Sequence, residues 1–284
     1  MTTTIIPGEL VRIHPRVQRI TAPNPGMMTG PGTNTYIIGD AAGALAMIDP
    51  GPDIAAHADL LIKHVGNRLR WIFCTHTHQD HSPASRAVSQ ATGAQIFGYG
   101  KVPGDGRQDT EFKPARALVN DEVVDCNAFK LRAIHTPGHA SNHMCYLLEG
   151  ADLLFTGDHV MQGSTVVISP PDGDMHEYFT SLKKLADYAI SAFAPGHGHV
   201  IETPREEVVK LIAHRLKREQ KVIDALAEVG GKAATLDELV PVVYSDVSPK
   251  LHVPARRSLH AHLLKLARDG RASETEGRWC LINA

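Results

Sequence analysis

The sequence has no run near the roughly 18 apolar residues that cross a bilayer, so no membrane-spanning segment is expected. Its amino end, Met1–Leu10, shows no basic stretch leading into an apolar core, so no secretory signal is visible and a cytoplasmic protein is the expectation. Charge of one sign is also missing. Lys and Arg number 29 against 31 Asp and Glu, a net charge of −2, which argues against bulk binding to nucleic acid or membrane surfaces. Aromatics make up only 5% of the chain and offer little stacking surface for single strands. The four cysteines, Cys74, Cys126, Cys145 and Cys280, are scattered without Cys-x-x-Cys spacing, so reduced thiols are expected and a disulfide framework is not. Internal repeats and low-complexity tracts are absent, which excludes a solenoid and a long disordered tail.

What is present is an ordinary apolar share, 43% of 284 residues, and an excess of one residue type: 17 histidines. Up to about residue 200, short β-rich runs alternate with helical patterns. Strands are expected at 17–21, 35–38, 44–48, 71–74, 95–97, 130–134, 144–148 and 153–155. Apolar residues recurring at three and four place helices at 54–65, 82–92 and 176–189. This alternation indicates an α/β class. Pro204 then opens a long amphipathic helix over 205–228 that stops at Gly230-Gly231. Two shorter helices (235–244 and 255–269) and a β-rich end, "GRASETEGRWCLI", follow and resemble a winged-helix module. The expected organisation is a catalytic domain over 1–203, a connecting helix over 204–229 and a winged-helix-like domain over 230–284.

Chemistry concentrates in "THTHQDH", residues 75–81. In an extended chain beyond a strand, His76 and His78 project to one side, because side chains alternate. Asp80 and His81 follow on the next turn and can serve a second position. Alone, these residues also fit a hydrogen-bonded turn with an aspartate-capped helix. Three further donors at strand ends, each set in glycine, argue against that: His139 in "HTPGHASNH", Asp158 in "LLFTGDHV" and His197 in "FAPGHGHV". Five imidazoles and two carboxylates suit zinc, with iron or manganese as alternatives.

In this order the motifs resemble those of the metallo-β-lactamase superfamily, over residues 30–200. "NPGMMTGPGTNTY", "HTPGHASNHM", "APGHGHVI" and the helix containing "HRLKREQKVIDAL" are similar to its lactamase-β-2-like branch over nearly the whole chain. The resemblance implies an αββα sandwich with metals at one edge of two facing sheets, followed by the winged-helix-like domain. It further implies that His76, His78 and His139 hold one zinc, that Asp80, His81 and His197 hold a second, and that Asp158 bridges them. The implied activity is a metal-dependent hydrolase in which a bridging hydroxide attacks an ester-like bond, whether ester, thioester, lactone or phosphodiester, with Asp80 orienting it. The substrate is then a small ester-like molecule or single-stranded RNA, since the branch includes an endoribonuclease. Asp158 stands where lactam-hydrolysing relatives commonly carry Cys, which argues against antibiotic hydrolysis. A mononuclear-iron persulfide-type dioxygenase and a non-catalytic nucleic-acid-binding module remain as readings of other classes.

Neighbouring residues are given plainer roles. His143 is expected to support the site without ligating, His135 and His159 to orient ligands by hydrogen bonds, His199 to end a strand, and Cys74 to be a buried thiol. From Gly230 onward, eight Lys or Arg face six Asp or Glu. Arg256, Arg257, Lys265 and Arg268, with His260 and His262, fall on the second helix of the module. The small surplus favours packing against the sandwich, shaping of the pocket or a homodimer over phosphate binding.

Overall fold

A computed structural model describes residues 4–40, 42–229 and 232–282. Seven strands form the first sheet in chain order: β1 (Leu10–His14), β2 (Val17–Thr21), β3 (Asn34–Ile38), β4 (Leu45–Ile48), β5 (Leu69–Phe73), β6 (Gln95–Gly98) and β7 (Arg116–Ala117). Pairing is antiparallel from β1 to β4 and parallel from β4 to β7. The second sheet runs β12 (Ala192–Pro195), β11 (Leu153–Gly157), β10 (Met144–Leu148), β9 (Lys130–His135), β8 (Glu122–Asp125), and only β11 and β12 pair in parallel.

Alternation along the strands explains the layering. Tyr36, Ile38, Ile48 and Phe73 of the first sheet meet Ala133, Tyr146, Leu148 and Phe155 of the second in a shared core. The opposite faces are apolar too, so both sheets need a helical cover. Ile37, Met47 and Ile72 pack under α1 (Ala55–Val65) and α2 (Ser85–Thr92) through Leu61, Val65 and Val88. Ile134, Leu147 and Phe193 pack under α3 (Met175–Lys184) and α4 (Pro204–Glu228) through Tyr178, Leu182 and Leu211. Each buried Leu, Ile, Val, Met or Phe among these contributes about 1.5–3 kcal/mol of transfer free energy. The result is the expected αββα sandwich.

The helix α4 serves two cores. Its first half buries Leu211 against the sandwich, while Val222, Ala225 and Leu226 pack with α5 (Leu236–Val243), α6 (His252–Arg268) and Trp279. A three-stranded sheet, β13 (Ala234–Thr235), β15 (Arg278–Leu281) and β14 (Ala272–Thr275), completes a winged-helix domain. Thr235 caps α5 reciprocally with Glu238, which fixes where that helix begins. The expected stop at Gly230-Gly231 lies outside the described residues. Among the described residues no helix is long and apolar enough to cross a membrane.

Expected and observed elements differ in explicable ways. The helix expected from residue 82 begins at Ser85, because residues 78–84 form turns held by the His81 and Ser82 N–H groups donating to the His78 carbonyl. The short edge strands β1, β7, β8 and β13 and the buried β12 carry too little alternation to stand out.

Candidate metal centre

Every expected donor follows or ends a strand at one edge of the sandwich. The chain from β5 stays extended and carries His76 and His78, β11 leads into Asp158, and β12 leads into His197. Parallel pairing of β4 with β5 and of β11 with β12 makes these strands end together, which gathers their loops. Glycine permits the close approach. A Cβ on Gly196 would sit 2.8 Å from both Asp158 Oδ1 and His81 Cε1, and Gly157, at φ +46°, would bring one within 2.6 Å of Thr75 Oγ1.

The donors form two groups. On one side His78 Nδ1 lies 2.9 Å from His76 Nε2 and 2.9 Å from His139 Nε2. On the other, His197 Nε2 lies 3.3 Å and His81 Nε2 3.5 Å from Asp80 Oδ2. Asp158 faces both: its Oδ1 is 3.4 Å from His81 Nε2 and 3.3 Å from His197 Nε2, and its Oδ2 is 3.5 Å from His139 Nε2. The sets His76/His78/His139, His76/His81/Asp158 and Asp80/His81/His197 each bring their donor atoms within 4.8 Å of one another.

A second layer turns the rings. The Nδ1–H groups of His81, His139 and His197 donate to Asp49 Oδ2 at 2.8 Å, the Val167 carbonyl at 2.8 Å and the Gly32 carbonyl at 3.2 Å. Thr75 Oγ1 donates to Asp49 Oδ2, so its contact with His76 Nδ1 at 3.0 Å is one in which the ring donates. In the neutral rings, four Nε2 lone pairs therefore face inward. Two of them point at His78 Nδ1, which carries at most one proton and so leaves one contact without a hydrogen. His81 Nε2 and Asp158 Oδ1 are likewise buried without a hydrogen-bond partner. This arrangement fits divalent cations, and it does not fit a hydrogen-bonded turn.

Electrostatics differ between the groups. Burial pushes His76 well below the usual imidazole range and His78 down to about 3, and His139 is lowered for the same reason, so all three favour the neutral, ligating form. Burial also acts on His81 and His197, but the surrounding carboxylates overcome it. Asp80, Asp158 and Asp49 raise His81, and Asp158 with Asp80 raises His197 to about 10. The carboxylate group thus concentrates positive charge, which a cation would supply in place of protons.

Asp49 is the residue that sequence reasoning missed. It follows β4 in "IDPGP" at φ +49°, is almost fully buried, and accepts from Thr75 N, Thr75 Oγ1 and His81 Nδ1. Asn34 is another, donating from Nδ2 to the Pro195 and Gly198 carbonyls and so fixing the loop that presents His197. His143 plays the supporting part expected of it, accepting the Asp158 N–H at Nε2. His135 and His159 do not orient ligands: His135 Nε2 donates to the Ser141 carbonyl and its ring stacks on Tyr99, while His159 packs beside Tyr178. His199 lies in a bend beyond β12, not at its end. Cys74 is a buried thiol.

The donors floor a cavity of about 250 Å³. Met28, Met161, Val166 and Val167 give it apolar walls, and Arg257 of α6 reaches it from the winged-helix domain. That domain docks through Ser258 Oγ, which accepts from Ile168 N, and beside it Arg215 Nη2 of α4 donates to the Val166 carbonyl. The cations of α6 do not form one open face. Arg256 pairs with Asp237 at 2.6 Å, Lys265 with Glu219 at 3.0 Å, and Arg268 lies 3.8 Å from Asp174 and Glu177. His262 is fully buried against Glu219, and His260 packs on Trp279.

Residues 28–197 match the metallo-beta-lactamase superfamily. The chain belongs to this superfamily. Residues 235–279 match the beta-lactamase associated winged helix domain. The chain is 31% identical to an atrochrysone carboxyl ACP thioesterase of Aspergillus fumigatus over 90% of its own length and 82% of that protein's. It is 29% identical to a beta-lactamase-like protein 2 homolog of Drosophila melanogaster, covering 94% of this chain and 92% of the relative. A metallo-beta-lactamase family protein of Thermus thermophilus shares the fold, with TM-score 0.78, 20% identity and coverage of 95% of this chain and 100% of that one. Fold, superfamily and the named thioesterases support a metal-dependent hydrolase.

Proposed function

We propose that the chain hydrolyses a small acyl ester or thioester at a two-metal centre, zinc being the metal its nitrogen-rich donors suit best. The cavity carries this reading. It is small, walled by Met28, Met161, Val166 and Val167, and overhung by α6, which suits an acyl chain better than a nucleic-acid strand. The thioesterase named among the relatives agrees with it. The proposed parts are a catalytic domain over 1–203, a connecting helix over 204–229 and a winged-helix domain over 230–284.

In the proposed site His76, His78 and His139 would hold one cation and Asp80, His81 and His197 the other, with Asp158 serving both. The cations would acidify water and polarise the acyl oxygen. Asp49 and the Val167 and Gly32 carbonyls keep the imidazoles turned inward. Asp80, the more exposed of the two donor carboxylates that line the cavity, orients the attacking water and accepts its proton. Water oxygen bonds to the acyl carbon, the bond to sulfur or oxygen breaks, and the proton passes to the leaving group. The apolar walls limit the water that reaches the acyl chain.

The test is turnover of parallel panels of thioesters, esters, lactones and single-stranded RNA by zinc-loaded protein and by Asp80→Ala. Acyl hydrolysis lost in the variant supports the reading. RNA cleavage lost in the variant, without acyl turnover, would replace it with the endoribonuclease.

A further inference from the structure

We propose that Arg107 and Arg257 form an anion clamp at the cavity, so that the substrate carries a carboxylate or phosphate besides its scissile bond. This rests on the acyl-hydrolase reading of the same site. The two side chains come from parts of the molecule far apart in sequence, a loop of the sandwich and helix α6, yet both line the cavity whose floor is the donor cluster. Arg257 differs from its helix neighbours. Arg256, Lys265 and Arg268 all have carboxylate partners, whereas among the described residues neither Arg257 nor Arg107 has one within ion-pair distance. Arg107 Nη1 donates to Ser169 Oγ, on the same wall, which holds the guanidinium there. Asp105, the one acid of that wall outside the donor cluster, turns back and accepts the Arg107 backbone N–H at 3.1 Å.

Two guanidiniums without a carboxylate partner, next to an apolar wall, make a site that a hydrophobic acyl group alone leaves unused. Bidentate pairing to a carboxylate or phosphate is the chemistry they offer. Because Arg257 belongs to α6, the winged-helix domain takes part in choosing the substrate.

Binding is read first, by titration calorimetry of the zinc-loaded protein with non-hydrolysable thioether analogues, so the result does not depend on turnover. One pair compares succinyl with butyryl N-acetylcysteamine analogues and places the charge in the acyl part. A second compares butyryl 4′-phosphopantetheine with butyryl pantetheine analogues and places it in the leaving group. The expected result is tighter binding of the charged member in one pair, by about 10–100-fold, as hydrogen bonds to charged groups give. Arg257→Ala and Arg107→Ala should each reduce that preference, Arg257→Lys should restore part of it, and all three should leave the neutral member and the bound zinc unchanged. The responding pair identifies whether carboxylate or phosphate is the anion. Equal binding within both pairs, or a preference that survives both alanine variants, would overturn the clamp. Should the charged analogues bind through the arginines while no thioester is hydrolysed, the acyl-hydrolase reading fails and the clamp stands.

Discussion

The two halves of the candidate metal centre are built on opposite electrostatic plans. His76, His78 and His139 form a neutral half, in which burial keeps the imidazoles uncharged and their ring nitrogens meet at 2.9 Å. Asp80, His81 and His197 form an anionic half, in which buried carboxylates collect positive charge. Asp158 touches both, so the halves differ in charge yet share one support. One edge of the fold thus places two donor groups side by side and gives each its own electrostatic character.

The largest effect should come from removing the shared support. Asp158→Ala is expected to lower metal content below one ion per chain and turnover by about a thousandfold or more, the several kcal/mol that such cations contribute. Metal analysis and kinetics on the same sample check it. Separating the halves comes next. His139→Ala and His197→Ala should each retain one ion, and anomalous scattering should place it in the half left intact; loss of both ions from each variant would erase the distinction. A smaller change is expected one layer out. Asp49→Asn weakens the support of His81 directly and that of His76 only through Thr75, so zinc affinity in the anionic half should fall about 10–100-fold, more than in the neutral half, as competition with a chelator would show.

The smallest effect concerns pH and leaves the metal count alone. His57 lies beneath Asp49, with its Nε2 3.3 Å from Thr35 Oγ1, which donates to the Asp49 carbonyl. Burial lowers its pKa from 6.5 to about 4. Between those values the unfolded chain holds a proton that the folded chain refuses, so stability falls as pH drops through that window, by at most about 3 kcal/mol. Denaturant melts of His57→Gln should show a flatter pH dependence from 6.5 to 4 than the parent protein, with unchanged zinc content.

Much of the sandwich was legible because its strands are short runs rich in apolar and β-branched residues; those at 17–21 and 144–148 have the expected limits. The seven donors were legible because histidine and aspartate at glycine-rich strand ends form an unusual pattern. Asp49 was not, since "IDPGP" reads as an ordinary turn, and its role arises only when β4 pairs beside β5 and brings it to Thr75 and His81. The misassigned histidines share one cause. His135 and His159 are adjacent to key segments in sequence, but their rings pack against Tyr99 and Tyr178 and not against the donors. The cations of α6 read as a single face by helical spacing, yet partners on other elements divide them, and only Arg257 turns to the cavity.

The central claim is two cations in two unlike halves. Its most direct measurement is anomalous diffraction at the zinc edge from crystals of zinc-loaded protein. Two peaks are predicted, one among His76, His78 and His139 and one among Asp80, His81 and His197, with Asp158 between them. A single peak at saturating zinc, or zinc bound away from these residues, would contradict the account.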